Sequence, residues 1–276
     1  MTPVENTASR VGIDWTGICF AVLLTLFIAL PLIVVGTWAF TEIWRYPSVI
    51  PQQFGLRFWG QTLARPDVWD ALFLSLRLTT TVTFLSAVIC LPAAYAFARL
   101  RFPGRNILFL SFLASHAFPK FGLLVAIAGI FLQLGLISTF WGVVLIQLVG
   151  TLLFMIWIPV AAFQAVDRRM EESARDVGAS PFRVFWSITL PQAGPTIAAA
   201  ILLSFVGTFY ETEGAWLIGA PAIRTMPVLM ISFINNQPVI QYGAVLSVIL
   251  WIPSFFALLF ARRVISGGSF ARGFGA

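Results

Sequence analysis

Val166 to Pro191 reads VDRRMEESARDVGASPFRVFWSITLP, the most polar stretch of an otherwise oily chain, and its reading decides the fold. Asp167 stands where a side-chain oxygen can accept backbone N–H groups at a helix start, and Met170, Ala174 and Val177 follow on one helical face at spacings of four and three. Gly178 is placed to end that helix, because a glycine takes the left-handed conformation that closes a helix C-terminus. Ser180-Pro181 then offers a second N-cap with proline at the first helical position. The stretch is therefore expected to form helix, tight turn, helix. Phe182, Phe185 and Trp186 on the second helix are too apolar to face water together, so the pair is expected to lie against the rest of the chain, against a partner, or both.

Outward from this stretch, composition sets the class. With 59% hydrophobic residues, 10% charged residues and a mean hydropathy of +0.92, the sequence reads as an all-α integral membrane protein. Its 276 residues leave room for about six helical spans of ~20 residues and little else. The expected spans are 17–40, 71–98, 107–134, 140–165, 195–218 and 242–264, in a single transmembrane domain with the loop 166–191 between the fourth and fifth. The first is too long for a signal-peptide core and lacks a convincing cleavage site. The third is interrupted by Ala117-Phe118-Pro119-Lys120, and Phe54 to Trp59 could form a short interfacial helix.

Charge then orients the path. A net charge of +6 would suggest nucleic acid in a soluble protein, but arginines at the ends of apolar spans follow the positive-inside tendency. With both termini in the cytoplasm, Arg10, Arg99, Arg101, Arg105, Arg168, Arg169, Arg175, Arg183, Arg262, Arg263 and Arg272 fall inside, and Arg45, Arg57, Arg65 and Arg224 outside. The polar stretch then lies in the cytoplasm.

Within that stretch, Glu172-Ser173-Ala174, Gly178, Ile188 and Leu190-Pro191 resemble the E-A-A-x3-G-x9-I-x-L-P signature of permease subunits of type I ATP-binding-cassette importers, the binding-protein-dependent inner membrane components. Ser173 replaces the usual first alanine, small for small. The resemblance implies that this loop is the coupling element seated in a groove of a separate ATPase, with Glu172, Ser173, Ala174, Arg175, Asp176, Gly178 and Pro181 as the coupling residues. It further implies two ATPase subunits, a second permease that is related or identical, and an external solute-binding protein in a cell inner membrane. ATP and Mg2+ would be bound by the ATPase, and no cofactor by this chain. Without the resemblance, the stretch reads as an amphipathic loop whose charges form a solvated face.

The chain offers no catalytic centre of its own. A P-loop needs a glycine-rich turn and a lysine for the phosphates, but the single lysine, Lys120, lies in an apolar run, and the single histidine, His116, has no second histidine or cysteine at ligand spacing. Cys19 and Cys90 both sit inside apolar runs and suggest neither a disulfide nor a metal site.

Charged side chains at membrane depth usually face a bundle interior or a water-filled cavity. His116 with Lys120, and Tyr210, Glu211 and Glu213 late in the fifth span, are therefore the candidates for the substrate path. The alternative is that Lys120 pairs with a glutamate between helices. Gly207 and Gly214 would allow close backbone approach or a break. The acidic pair leans toward an amine-bearing or cationic solute, and FGLRFWGQTL is similar to permeases for polyamines and opines. The loop motif is shared with sugar permeases, so a sugar or polyol is the alternative. An ion-coupled carrier using Lys120, Glu211 and Glu213 as titrating groups is the alternative of another class.

Overall fold

The computed structural model describes residues 15–117, 119–236 and 239–266, without the side chains at 113, 115–117 and 260–266. The terminal arginines Arg10, Arg262, Arg263 and Arg272 thus lie outside the described side chains. Among the described residues the regular structure is helical except for one small hairpin, and five helices are long and apolar enough to cross a membrane.

Helix α1 (Trp15–Ala39) buries only Ala39, leaves most of its apolar surface exposed and packs along the last helix. It leads into strands β1 (Thr41–Ile43) and β2 (Gln53–Phe54), paired antiparallel. The short helix α2 (Arg57–Leu63) begins three residues after Phe54, which is in the strand and not in the helix. Helix α3 (Pro66–Arg99) opens on proline, whose missing N–H costs nothing in a first turn.

The third expected span is two helices, α4 (Arg105–Ala117) and α5 (Lys120–Gln133), separated at Pro119. Pro119 is itself non-helical, with ψ of 115°, and has no N–H to continue the ladder, which accounts for the break. Helix α6 (Phe140–Ala165) follows, capped by Thr139, whose Oγ1 accepts the Gly142 N–H at 3.0 Å.

The loop consists of α7 (Arg168–Asp176) and α8 (Pro181–Val184), and here the structure departs from the expected boundaries. Helix α8 does not end before a separate span. It continues through a π-helical segment, Phe185–Thr189, into α9 (Leu190–Phe209), giving one helix from Pro181 to Phe209. Pro191 lacks an N–H and its ring crowds the preceding turn, and the wider π turn immediately before it absorbs that conflict. The fifth span also stops earlier than expected: Glu213–Gly219 is a separate helix, α10, followed by α11 (Met226–Asn236) and α12 (Ile240–Ser266).

Helices α3, α6 and α9 form the centre. At the basic end Ala94, Phe97, Met155, Phe163, Ala193 and Ile197 are buried together, and at the opposite end Leu78, Val82, Val143, Ile146, Ala215 and Ile218. Midway, the Ser86 and Thr151 hydroxyls join α3 to α6 at 2.6 Å, a polar tie between helices that small residues allow to approach.

Candidate functional site

Two regions concentrate polar chemistry, one at each side of the helical core. At the basic end, Asp167 Oδ1 accepts the Arg169 N–H at 2.9 Å and starts α7. Gly178 closes it with φ of +89°, in the left-handed region where a side chain is strained, although space for a Cβ is open. Ser180 Oγ accepts the Arg183 N–H at 3.3 Å, with Pro181 at the first helical position. Local capping chemistry thus builds the elbow.

Glu172, Ser173, Arg175, Asp176, Gly178 and Pro181 are exposed, Ala174 half-buried. Among the described residues, Glu172, Arg175 and Asp176 form no ion pair. Val177 and Phe182 are 85% and 73% exposed, and Met170 and Trp186 also face outward. Phe185 turns inward, its ring edge-on to Tyr95. A groove of about 350 Å³ between α7 and α8 is lined by Ala174, Val177, Gly178, Arg183, Val184 and Ser187 among others. The apolar face of α7 therefore points away from the core, and the residue facing inward is Glu171, buried and paired with Arg99 at 2.9 Å. Neither partner stood out in the sequence, where Arg99 reads as a topology signal and Glu171 as one more charge in a polar run.

The second region lies where α5, α6, α9 and α10 meet. Lys120, first residue of α5, places Nζ 3.1 Å from Glu213 Oε2 and 3.4 Å from Glu211 Oε1. Glu211 occupies the break between α9 and α10. Its carboxylate accepts the N–H groups of Gly214 (2.8 Å) and Ala215 (3.1 Å) and the Gln147 side-chain amide (3.3 Å). It caps α10, where a negative charge also meets the positive helix end. Gly214 allows the approach, since a Cβ there would sit 3.3 Å from Ile146 and 3.2 Å from Glu211.

Beside this cluster is a cavity of about 350 Å³ between α5, α6 and α9. Its wall includes Lys120, Gln147, Thr151, Ser204, Thr208 and Glu211, with Gly207 and Phe154. Gln147 Oε1 and Ser204 Oγ are buried there with no hydrogen-bond partner among the described residues. Of the five candidates for the path, the structure brings together Lys120, Glu211 and Glu213. Tyr210 instead donates its hydroxyl to the Leu250 carbonyl at 3.1 Å, tying α9 to α12. The side chain of His116 lies outside those described. Gln147, Thr151 and Ser204 escaped the sequence reading because neutral polar residues in an apolar run do not show which face they take; an amide in the middle of α6 was the available signal.

Residues 14–266 match the model of the family described as binding-protein-dependent transport system inner membrane component. The chain belongs to this family. It is a multi-pass inner membrane protein, a permease subunit of an ATP-binding-cassette importer. It is similar to the maltose/maltodextrin permease protein MalG of Yersinia pestis, with 29% identity covering 82% of this chain and 73% of that one. It is similar also to the molybdate/tungstate permease protein WtpB of Pyrococcus abyssi, with 31% identity covering 82% and 86%. Among solved structures, a chain of a bacterial ABC transporter that imports the acidic polysaccharide alginate shares the fold, at a TM-score of 0.70 and 18% identity over 95% of this permease and 99% of that chain.

Proposed function

We propose that this permease forms half of a solute pathway, with the turn between α7 and α8 seated in an ATPase subunit on the cytoplasmic side. Two such ATPases, a second permease and an external binding protein complete the importer. Both termini are then cytoplasmic, which gives the inner side the larger share of arginine. The exposed Val177 and Phe182 beside an open groove support the seat, because an apolar ridge on a polar loop is poorly placed in water. Glu172, Arg175 and Asp176, which form no ion pair among the described residues, supply its charged rim.

The solute side of the proposal is a neutral polyhydroxylated molecule, a sugar or polyol. The observation that carries it is the occupation of Glu211. Two backbone N–H groups, an amide and Lys120 already use its oxygens, so the more buried half of the acidic pair that leaned the sequence toward an amine is committed to the fold, and Glu213 is held by Lys120. The other polar groups of the wall are amide and hydroxyl, from Gln147, Thr151, Ser204 and Thr208, set among Leu123, Leu124, Ile146, Leu153 and Phe154. Such groups exchange hydrogen bonds with hydroxyls without needing charge. A volume of about 350 Å³ lies within the range of small-molecule sites, about 300–1,000 Å³. Relatives named for maltose and trehalose transport accord with this reading.

Two measurements test it. An ATPase subunit is expected to co-purify with the wild-type chain from mild detergent and to be lost with Gly178→Asp. Vesicles carrying the assembled transporter and its binding protein are expected to take up maltose or trehalose on ATP addition, and not spermidine. Spermidine uptake that saturates and requires ATP would return the solute to the amine class.

A further inference from the structure

Arg99 and Glu171 are 72 positions apart in the chain, yet each is 7% exposed, and Nη2 lies 2.9 Å from Oε1. The same Nη2 donates to the Val166 carbonyl at 2.9 Å, where α6 ends. The same Oε1 accepts the Thr189 hydroxyl at 2.6 Å, at the close of the π-helical segment that feeds α9. Arg168 adds a bond from α7 to the Ala98 carbonyl at 3.4 Å. One guanidinium and one carboxylate therefore join α3, the end of α6, α7 and the start of α9, at the end of the bundle where Phe97, Phe163, Val166 and Ala193 are buried together.

Stability alone gives little reason for this choice. Two charges lose hydration on burial, and an apolar pair of similar volume often holds a core as well or better. What hydrogen bonds add is direction. Four groups are fixed in angle as well as distance, whereas apolar surfaces slide over one another with little cost.

We propose that Arg99, Glu171 and Thr189 are positioning residues that form the rigid joint through which displacement of α7 is passed to α3 and α9. This rests on the reading that the α7–α8 turn seats in an ATPase. Movement of the ATPase pushes α7; Glu171 carries the push into Arg99 and hence α3, and into Thr189 and hence α9. Helix α9 is the lever that matters, since Ser204, Gly207 and Thr208 on it line the cavity four to five turns away. Helix α8 already runs on into α9, but α7, were it joined to the spans only by its flanking loops, would lose its displacement in local bending.

The test uses the complete transporter with its binding protein in proteoliposomes, measuring solute moved per ATP hydrolysed, with ATPase co-purification as the assembly check. The variants are Thr189→Val, Glu171→Asp and the apolar pair Arg99→Met with Glu171→Leu. The apolar pair is expected to retain the ATPase and to continue hydrolysis while moving about fivefold or more less solute per ATP, the scale of a typical coupling energy between sites. Thr189→Val, the milder change, should lower the same ratio by about twofold, and Glu171→Asp should restore part of what the apolar pair loses. Unchanged solute per ATP in both the apolar pair and Thr189→Val overturns the proposal. A fall in transport and hydrolysis together, in proportion to the complex recovered, overturns it too, because the cluster is then structural only. Absence of the ATPase from wild-type preparations is a separate result: it removes the seating of the turn, and the joint with it.

Discussion

The two charged clusters of this permease are built from the same kinds of side chain and differ in what surrounds them. At the basic end Arg99 and Glu171 are each 7% exposed, the first also donating to the Val166 carbonyl and the second also accepting from the Thr189 hydroxyl. Between α5 and α10, Lys120 is 57% exposed and divides one ammonium between Glu211, 12% exposed, and Glu213, 50% exposed. A sealed pair cannot separate without leaving a charge in an apolar core. An ammonium at the rim of a cavity can let go of either carboxylate and be hydrated. The first arrangement suits a joint that must stay closed while parts move, and the second a contact that can open and close.

That contrast is tested most strongly at Glu171. Replacing it alone by leucine leaves the Arg99 guanidinium buried and uncompensated, and destabilisation of about 3–5 kcal/mol is expected, most of it recovered when Arg99→Met is added. Apparent unfolding midpoints in one detergent at one heating rate would show this as a large drop for the single variant and a small one for the pair. A mild single variant would mean that water reaches the cluster, and the distinction between the two regions would collapse.

Glu211 should come next, because it belongs to the fold as much as to the cavity. Glu211→Ala frees the Gly214 and Ala215 N–H groups and the Gln147 amide, at an expected cost of about 1–3 kcal/mol. Glu211→Gln keeps one acceptor oxygen for the α10 N-terminus and should cost less than half as much. Measured side by side by thermal unfolding, near-equal losses would show that charge, and not capping, is what the position supplies.

The ease of reading these regions from sequence follows the range of the interactions that build them. Asp167, Gly178 and Ser180-Pro181 act on backbone groups within three residues of themselves, so the elbow of the loop was legible from local chemistry. The break at Pro119 was legible for the same reason. The continuous helix from Pro181 to Phe209 was not, because Pro191 and Pro195 both mark a boundary in a regular helix, and the π-helical turn that reconciles the first of them depends on packing. Nor could the sequence show that Glu171 turns inward while Glu172 faces out. Adjacent glutamates are about 100° apart on a helix, and which one meets Arg99 is decided by how α7 docks. Glu211 carried a visible charge, but the three donors besides Lys120 that satisfy it come from α6 and from the N-terminus of a helix whose start the charge itself creates.

The cap of α8 sharpens the local side of the comparison. Ser180→Ala removes the acceptor for the Arg183 N–H, with an expected loss of about 1 kcal/mol. The group is exposed and the effect should remain in the elbow, visible as faster amide exchange in residues 181–184 with the rest of the chain protected as before. Spread of that exchange into α9 would mean that the cap also holds the helix beyond Thr189.

The smallest effect on stability is expected at Lys120, and there it should separate from the effect on function. A half-exposed ammonium shared between two carboxylates contributes under about 1 kcal/mol after screening, so Lys120→Gln should leave the unfolding midpoint nearly in place. Access to the cavity should nevertheless change. Gly207 has open space where its Cβ would be and lies in the cavity wall, so a Gly207→Cys thiol in a background with exposed Cys19 changed to serine, Cys90 being buried, reports on entry. With the bridge intact, reaction with a charged thiol reagent is expected to be slow. With Lys120→Gln it should rise severalfold, because the contact between α5 and α10 is no longer held across the mouth. An equal rate in both would place the bridge among the contacts that hold the helices together. The two charged clusters would then differ in exposure alone.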